Sequence, residues 1–184
     1  YEGAHKLAPG HLLTWELGSA APRISRYWDV RFEPDHRITM EGAQSELRER
    51  LAEAVKIRLV SEVPLGAFLS GGVGSSAVVA AMAAASNTPV KTCSIAFDVP
   101  EFDESAYAEM VAKRYHTDHY VETVRSNDLE IVDRLIGLYD EPYADSSAIP
   151  TYRVCELARK RVTVALSGDG GDETFGGYRR YKMH

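Results

Sequence analysis

The sequence predicts an α/β domain, a parallel sheet with helices on both faces. Three observations carry this. Four short apolar runs rich in β-branched or aromatic residues read as strands: GAFLS (66–70), TCSIAF (92–97), HYVETV (119–124) and VTVALS (162–167). Helical patterns fill the intervals, at 75–86, 103–116, 128–139 and 147–160. Strands alternating with helices imply βαβ units, hence parallel pairing under helical cover. Glycine-rich turns, LSGGVGSS and LSGDGGDETFGGY, follow the first and the last run. In such sheets ligands bind beyond the carboxyl ends of the strands, so both turns fall at one edge.

Taken in order, residues 1–30 stand apart. HKLAPGHLLTWELG holds a Pro-Gly turn and a short alternating run, followed by SAAPR and RYWDV. This predicts extended structure and turns with too little apolar material for a core. FEPDHRIT reads as a linker, and a second domain is expected over 31–184. From Met40 the pattern turns helical, with Leu47, Leu51, Ala54, Val55 and Leu59 on one face. Asp128 with Glu130, and Glu141 with Pro142, supply later start and stop signals. No internal repeat or low-complexity tract is visible.

At 184 residues the chain has room for one domain with its own core and a piece of a second. The net charge of −6 argues against a nucleic-acid surface. RKR at 159–161 is the one dense basic cluster and reads as the charged end of a helix. Cys93 and Cys155 have no CxxC spacing and read as buried free thiols of a reducing, cytoplasmic compartment. The longest apolar run, Ala77 to Ala85, is too short to span a bilayer, so no membrane partner is expected. The chain opens without Met, as a piece of a longer protein would.

In the first turn Gly71 and Gly72 allow backbone amides to approach a ligand closely. Ser75 and Ser76 open the next helix, where unpaired N–H groups and the helix dipole favour an anion. The turn lacks the Gly-Lys-Ser/Thr ending of a Walker A loop and the spacing of a dinucleotide fingerprint. A tight turn of purely structural value has the same composition.

LSGGVGSS resembles the pyrophosphate loop, usually Ser-Gly-Gly-x-Asp-Ser-Ser, of the ATP pyrophosphatases that adenylate their substrates, among them asparagine, GMP, NAD and argininosuccinate synthetases. The second turn is more discriminating. LSGDGGDETFGGYRRY resembles the Ser-Gly-Glu-Gly-x-Asp-Glu-x-Phe-Gly-Gly-Tyr segment of glutamine-dependent asparagine synthetases. DEPYADSSAIPTY (140–152), FDESAYAEMVAKRYHTDHYV (102–121), KLAPGHLL and RYWD are similar to that family too, so the likeness runs along essentially the whole chain.

The resemblance implies a truncated adenine-nucleotide α-hydrolase-like fold and a set of roles. Ser70, Gly71, Gly72, Gly74, Ser75 and Ser76 would form the loop around the β- and γ-phosphates of ATP. Leu69 would offer a backbone contact, Ile95 would line the adenine, and Ser167 and Gly168 would touch the nucleotide. Asp169 stands where the family has Glu, at the step forming β-aspartyl-AMP, and Asp172 would bind Mg²⁺ with Glu173 nearby. Position 74 departs from the pattern: the family carries a carboxylate there, and Gly cannot coordinate a metal. Implied small-molecule substrates are ATP, aspartate and ammonia from glutamine, and a homodimer is allowed. Residues 1–30 would be the end of a glutaminase domain otherwise missing from this chain, and later helices bearing a phosphate-contacting Lys would also be missing.

Each feature also has a plainer reading. Asp169, Asp172 and Glu173 can be acids favoured at a helix N-terminus. His116 and His119 form HxxH at a helix-to-strand turn, expected to be solvated rather than a metal pair. Asp145, Ser146 and Ser147 read as a helix cap, and Tyr178 and Tyr181 as core aromatics without an assigned role. Three functions stay open: an asparagine-synthetase-like amidotransferase, a paralogous adenylating enzyme with another acceptor, and a degenerate nucleotide-binding domain, the last favoured by Gly74.

Overall fold

A computed structural model describes residues 2–125, 131–139 and 143–182, and the signals at Asp128, Glu130, Glu141 and Pro142 lie outside them. The chain divides into two compact units, residues 1–43 and 44–184.

The first unit is built on an antiparallel pair, β1 (His11–Thr14) and β2 (Arg23–Arg26), in register His11 to Arg26 and Thr14 to Arg23. Gly10 closes its base, its carbonyl accepting the Tyr27 and Trp28 N–H groups at 2.9 and 3.2 Å. Leu12, Leu13, Trp15, Ile24 and Trp28 are all exposed, as expected of a segment too small to bury a core.

A helix, α1 (Met40–Arg58), leads into the second unit. Its apolar face is used from Leu51 onward: Leu51, Val55 and Leu59 pack inward, whereas Leu47 on the same predicted face is exposed. Then come β3 (Leu65–Phe68), α2 (Val73–Ala85), β4 (Lys91–Phe97), α3 (Ser105–Tyr115), β5 (Asp118–Val124), α4 (Ile131–Leu138), α5 (Ala148–Arg159), β6 (Val164–Leu166) and the single-turn α6 (Gly171–Phe175). Short 3₁₀ turns occupy Pro100–Phe102 and Arg179–Lys182.

The sheet order is β5-β4-β3-β6 and every pair is parallel. Alternation along the strands sends side chains to opposite faces. Ala67 and Leu69 join Val55, Val78, Val79, Met82, Ala108 and Ala112 in a core under α1, α2 and α3. Phe68, Cys93 and Tyr120 point the other way and meet Leu157, Ala158 and Val162 beneath α5. Helices thus cover both faces. The order matters for function, because the chain winds outward from β3 to β5 and then returns to add β6 on the other side. The switch point, where such folds open a crevice, lies between β3 and β6.

Two further details of the fold depart from the sequence reading. Cys93 is buried but Cys155 is exposed. The inward stripe of α5 runs through Val154, Leu157 and Ala158, and residue 155 sits about 100° round the helix from 154. Partial burial nevertheless pushes both thiols up, and the charge of Asp169 adds to the effect at Cys155. The HxxH pair is also divided: His116 caps α3 in the left-handed conformation (φ 52°), while His119 lies in β5 with its ring turned inward.

Candidate functional site at the sheet switch point

Both glycine-rich turns leave the carboxyl ends of the two strands that flank the switch point. The first spans Ser70 to Gly72 between β3 and α2. Gly71 adopts φ +87°, and a Cβ there would sit 2.8 Å from both the Ala108 nitrogen and the Tyr107 Cβ at the start of α3. Only glycine passes so close with that dihedral. The α3 N-terminus is itself tied down: Asp103 accepts from the Ser105 N–H (3.1 Å) and hydroxyl (2.9 Å). These bonds hold the Asp103 carboxyl below the usual range.

The serines of this turn bond mainly to the turn itself. Ser76 Oγ donates to the Gly72 carbonyl at 2.7 Å, as does Ser75 Oγ at 3.2 Å. Ser75 Oγ also accepts the Ser70 N–H at 3.2 Å and lies 3.0 Å from Ser70 Oγ, which accepts the Gly72 N–H at 3.3 Å. Val73 and Gly74, exposed at the first turn of α2, have no preceding helical carbonyls for their N–H groups. Such amides, with the helix dipole behind them, are the kind of donors that favour an anion.

The second turn, Ser167 to Gly170, runs from β6 into α6. It packs closely on the first, with Gly168 against Gly74 and the Ser75 backbone. A Cβ on Gly168 would come 2.4 Å from the Ser75 nitrogen and 2.6 Å from the Gly74 carbonyl carbon. In return, a Cβ on Gly74 would meet the Gly168 carbonyl oxygen at 3.1 Å. The two turns form one surface at the mouth of the crevice.

The remaining candidates take distinct places. Leu69 is fully buried, with its N–H on the Cys93 carbonyl (2.9 Å) and its carbonyl on the Ser94 hydroxyl, so a further partner has only the second lone pair of that carbonyl. Ile95 is half-buried in the outward half of β4. Ser167 is exposed and accepts the Asp169 N–H at 3.3 Å. Asp169 and Asp172 are exposed on the turn and on α6. The Asp172 carboxylate lies over Gly177, where it would overlap any Cβ, and Gly177 N–H bonds to the Asp172 carbonyl at 2.9 Å. Glu173 accepts from Tyr178 Oη at 2.8 Å, which lowers the Glu173 carboxyl and raises the phenol. Tyr178 is half-buried and Tyr181 exposed, so they form a surface ring pair (centroids 5.8 Å apart) and not part of the core. Asp145 accepts the Ser147 N–H at 2.8 Å just ahead of α5, whose N-cap Ser147 makes no side-chain capping bond.

Among the described residues no three His, Cys, Asp or Glu side chains converge as a metal cluster. The donor set fits a hard cation that keeps waters and takes most protein-side charge from one or two carboxylates and from phosphate oxygens. Asp169 and Asp172 are the carboxylates at hand, and position 74 offers none.

Ser94 and Asp103 escaped the sequence reading. A signal for Ser94 existed: Thr92 and Ser94 are polar residues two apart on one face of a central strand, and both are buried. Such a pair needs hydrogen-bond partners inside the fold.

Residues 46–184 match the sequence model of the family described as asparagine synthase. The chain is 41% identical over 182 residues to a Methanocaldococcus jannaschii protein provisionally named asparagine synthetase 2 (glutamine-hydrolysing), covering 97% of this chain and 35% of that one. It is 36% identical to asparagine synthetase 1 (glutamine-hydrolysing) of Bacillus subtilis, covering 85% of this chain and 24% of that one. The chain therefore spans about a third or less of these relatives' length. In fold it is similar to the NH₃-dependent NAD synthetase of Campylobacter jejuni, with a TM-score of 0.50 at 13% identity over 73% of this chain and 60% of that one.

Proposed function

This chain belongs to the asparagine synthase family, and from that premise we propose that it is the nucleotide-binding part of a glutamine-dependent asparagine synthetase. The observation that carries the reading is the glycine-to-glycine contact of the two turns across the switch point. The Val73 and Gly74 amides at the start of α2 would hold the β- and γ-phosphates of ATP. Ile95 would face the adenine, and Ser167 and Gly168 would border the nucleotide from β6. Asp169 would stand beside the reacting centre. When bound, Mg²⁺ supplies charge neutralisation on the departing pyrophosphate, with Asp172 as its protein ligand.

In the reaction so read, a side-chain carboxylate oxygen of aspartate attacks the α-phosphorus and pyrophosphate leaves. Ammonia from glutamine then attacks the acyl carbon and AMP leaves. The backbone amides act where negative charge grows on the leaving group, which is the work fixed donors do best. The glutaminase chemistry belongs to the rest of the protein. Free thiols at Cys93 and Cys155 agree with a cytoplasmic setting.

A second reading draws on one observation: Gly74 leaves the loop without its usual carboxylate. It holds that the domain binds ATP but does not turn it over. The full-length protein with ATP, Mg²⁺, aspartate and glutamine separates the cases. AMP and asparagine appearing together support the synthetase, and AMP released only with another acceptor points to a paralogous adenylating enzyme. ATP bound without AMP release, restored by Gly74→Asp, identifies the degenerate domain.

A further inference from the structure

We propose that Ser94 is a positioning residue for the phosphate loop, holding the Leu69–Ser70 peptide in the orientation from which the loop amides are presented. The inference rests on the phosphate-loop reading of residues 70–76 and concerns a side chain outside it. A peptide unit is planar, so its carbonyl and its N–H turn together. In the Leu69–Ser70 unit both ends are held. The Leu69 carbonyl accepts from Ser94 Oγ on β4, and the Ser70 N–H donates to Ser75 Oγ on α2 at 3.2 Å. The two hydroxyls belong to buried residues, Ser94 at 2% and Ser75 at 8% exposure. They come from different elements on either side of the chain.

This peptide is where the chain leaves the sheet. Phe68 pairs with Cys93 in the ladder, and the Leu69 N–H on the Cys93 carbonyl is the last rung. Beyond it the Ser94 hydroxyl takes the next carbonyl, and the backbone turns at Gly71 over the start of α3. Ser75 Oγ meanwhile spans Ser70 and Gly72. Without Ser94 the carbonyl end of the peptide has no side-chain donor, and the unit can rotate about its neighbours. The amides after it would then no longer converge on one anion. Ile95, next along the strand, points to the opposite face, so the adenine side need not change.

Three forms of the full-length protein test this: wild type, Ser94→Ala, and Ser94→Thr, which keeps the hydroxyl. Amide hydrogen exchange at Ser70 and Gly72 is read without ligand, and the affinities for ATP and AMP are measured separately. Ser94→Ala is expected to speed exchange at Ser70 and to weaken ATP about tenfold, the scale of one lost hydrogen bond. AMP, lacking the β- and γ-phosphates, should bind within about twofold of wild type. Ser94→Thr should restore both measurements. Unchanged exchange and ATP affinity in Ser94→Ala overturn the proposal, and so does an equal loss for ATP and AMP, which marks general loosening of the core. Should Ser94→Ala fail to fold, Ser94→Cys is read the same way. If the wild-type protein binds AMP and ATP equally, the phosphate-loop reading falls and the nucleotide role of Ser94 with it, while the exchange rates still decide whether Ser94 holds the peptide.

Discussion

Gly168 and Gly74 decide how closely the two turns of the site approach. At Gly168 the obstacle to a side chain is backbone, with the Ser75 nitrogen 2.4 Å from an added Cβ. Backbone at a helix start cannot swing aside as a side-chain end can. Gly168→Ala should therefore push the β6 turn off α2, lowering ATP affinity at least about tenfold, while the helical signal in circular dichroism stays. Gly74 is a gentler case, its Cβ contact being 3.1 Å from the Gly168 carbonyl. The turn that must yield carries Gly168, Gly170 and Gly171 and can move a few tenths of an ångström. Gly74→Asp should then be accommodated and return a carboxylate to the pyrophosphate side. We expect pyrophosphate release to rise more than ATP affinity, and equal turnover by the two forms would refute that. The same residue scale shows what the sequence could tell. The motif LSGGVGSS located the loop, but nothing in it disclosed that Ser75 and Ser76 bond inward or that Asp172 folds over Gly177. Motifs record which residues are near a ligand, whereas hydroxyl and carboxylate directions depend on contacts from elsewhere in the chain.

At the scale of elements, period was the dependable signal. The four predicted strands appear as β3 to β6, and the strongly patterned helices begin and end close to where polarity changes. What periodicity missed was environment, and α3 with β5 shows why. His119 was expected in a solvated turn, yet its Nδ1 lies 2.8 Å from Thr92 Oγ1, which in turn is 2.9 Å from Thr117 Oγ1. Its Nε2 is buried without a partner. Burial holds the imidazole below its ordinary value, against smaller opposing effects of Glu109 and the Thr92 bond. In the unfolded chain His119 titrates near 6.5 and so binds a proton before the folded form does. Its contribution to stability is thus complete above about pH 6.5 and is lost as pH falls toward the lower folded value. Urea midpoints followed from pH 8 to 5 should fall more for wild type than for His119→Gln. The end of α3 allows a gain instead: His116 sits at φ 52° with its N–H on the helix carbonyls. His116→Gly should stabilise the protein by about 0.5–1 kcal/mol, measured by the same midpoint.

For the molecule as a whole, the order β5-β4-β3-β6 explains why one edge can hold a ligand and the rest need not. Helix α2 leaves β3 on one face, and α5 leads into β6 on the other, so the turns after β3 and β6 face each other across the switch point. On the α5 side of the sheet Lys160 reaches Glu122 at 3.2 Å, and the Arg161 guanidinium lies 4.2 Å from the Tyr120 ring centroid. Open grooves run along α5 (Tyr152, Cys155, Arg159) and beside α3 and β5 (Glu109, His116, His119). ATP with Mg²⁺ should accordingly leave a footprint on one edge of one unit. Amide exchange is expected to slow at residues 70–76 and 167–172, which are far apart in sequence and meet where Gly168 packs on Gly74 and Ser75. Met82, fully buried beneath the sheet, supplies the control. Met82→Ala should lower stability by about 2–5 kcal/mol and raise exchange throughout the second unit without moving the footprint. Protection centred on the α3–β5 groove, or on 70–76 without 167–172, would break the link between fold order and nucleotide site.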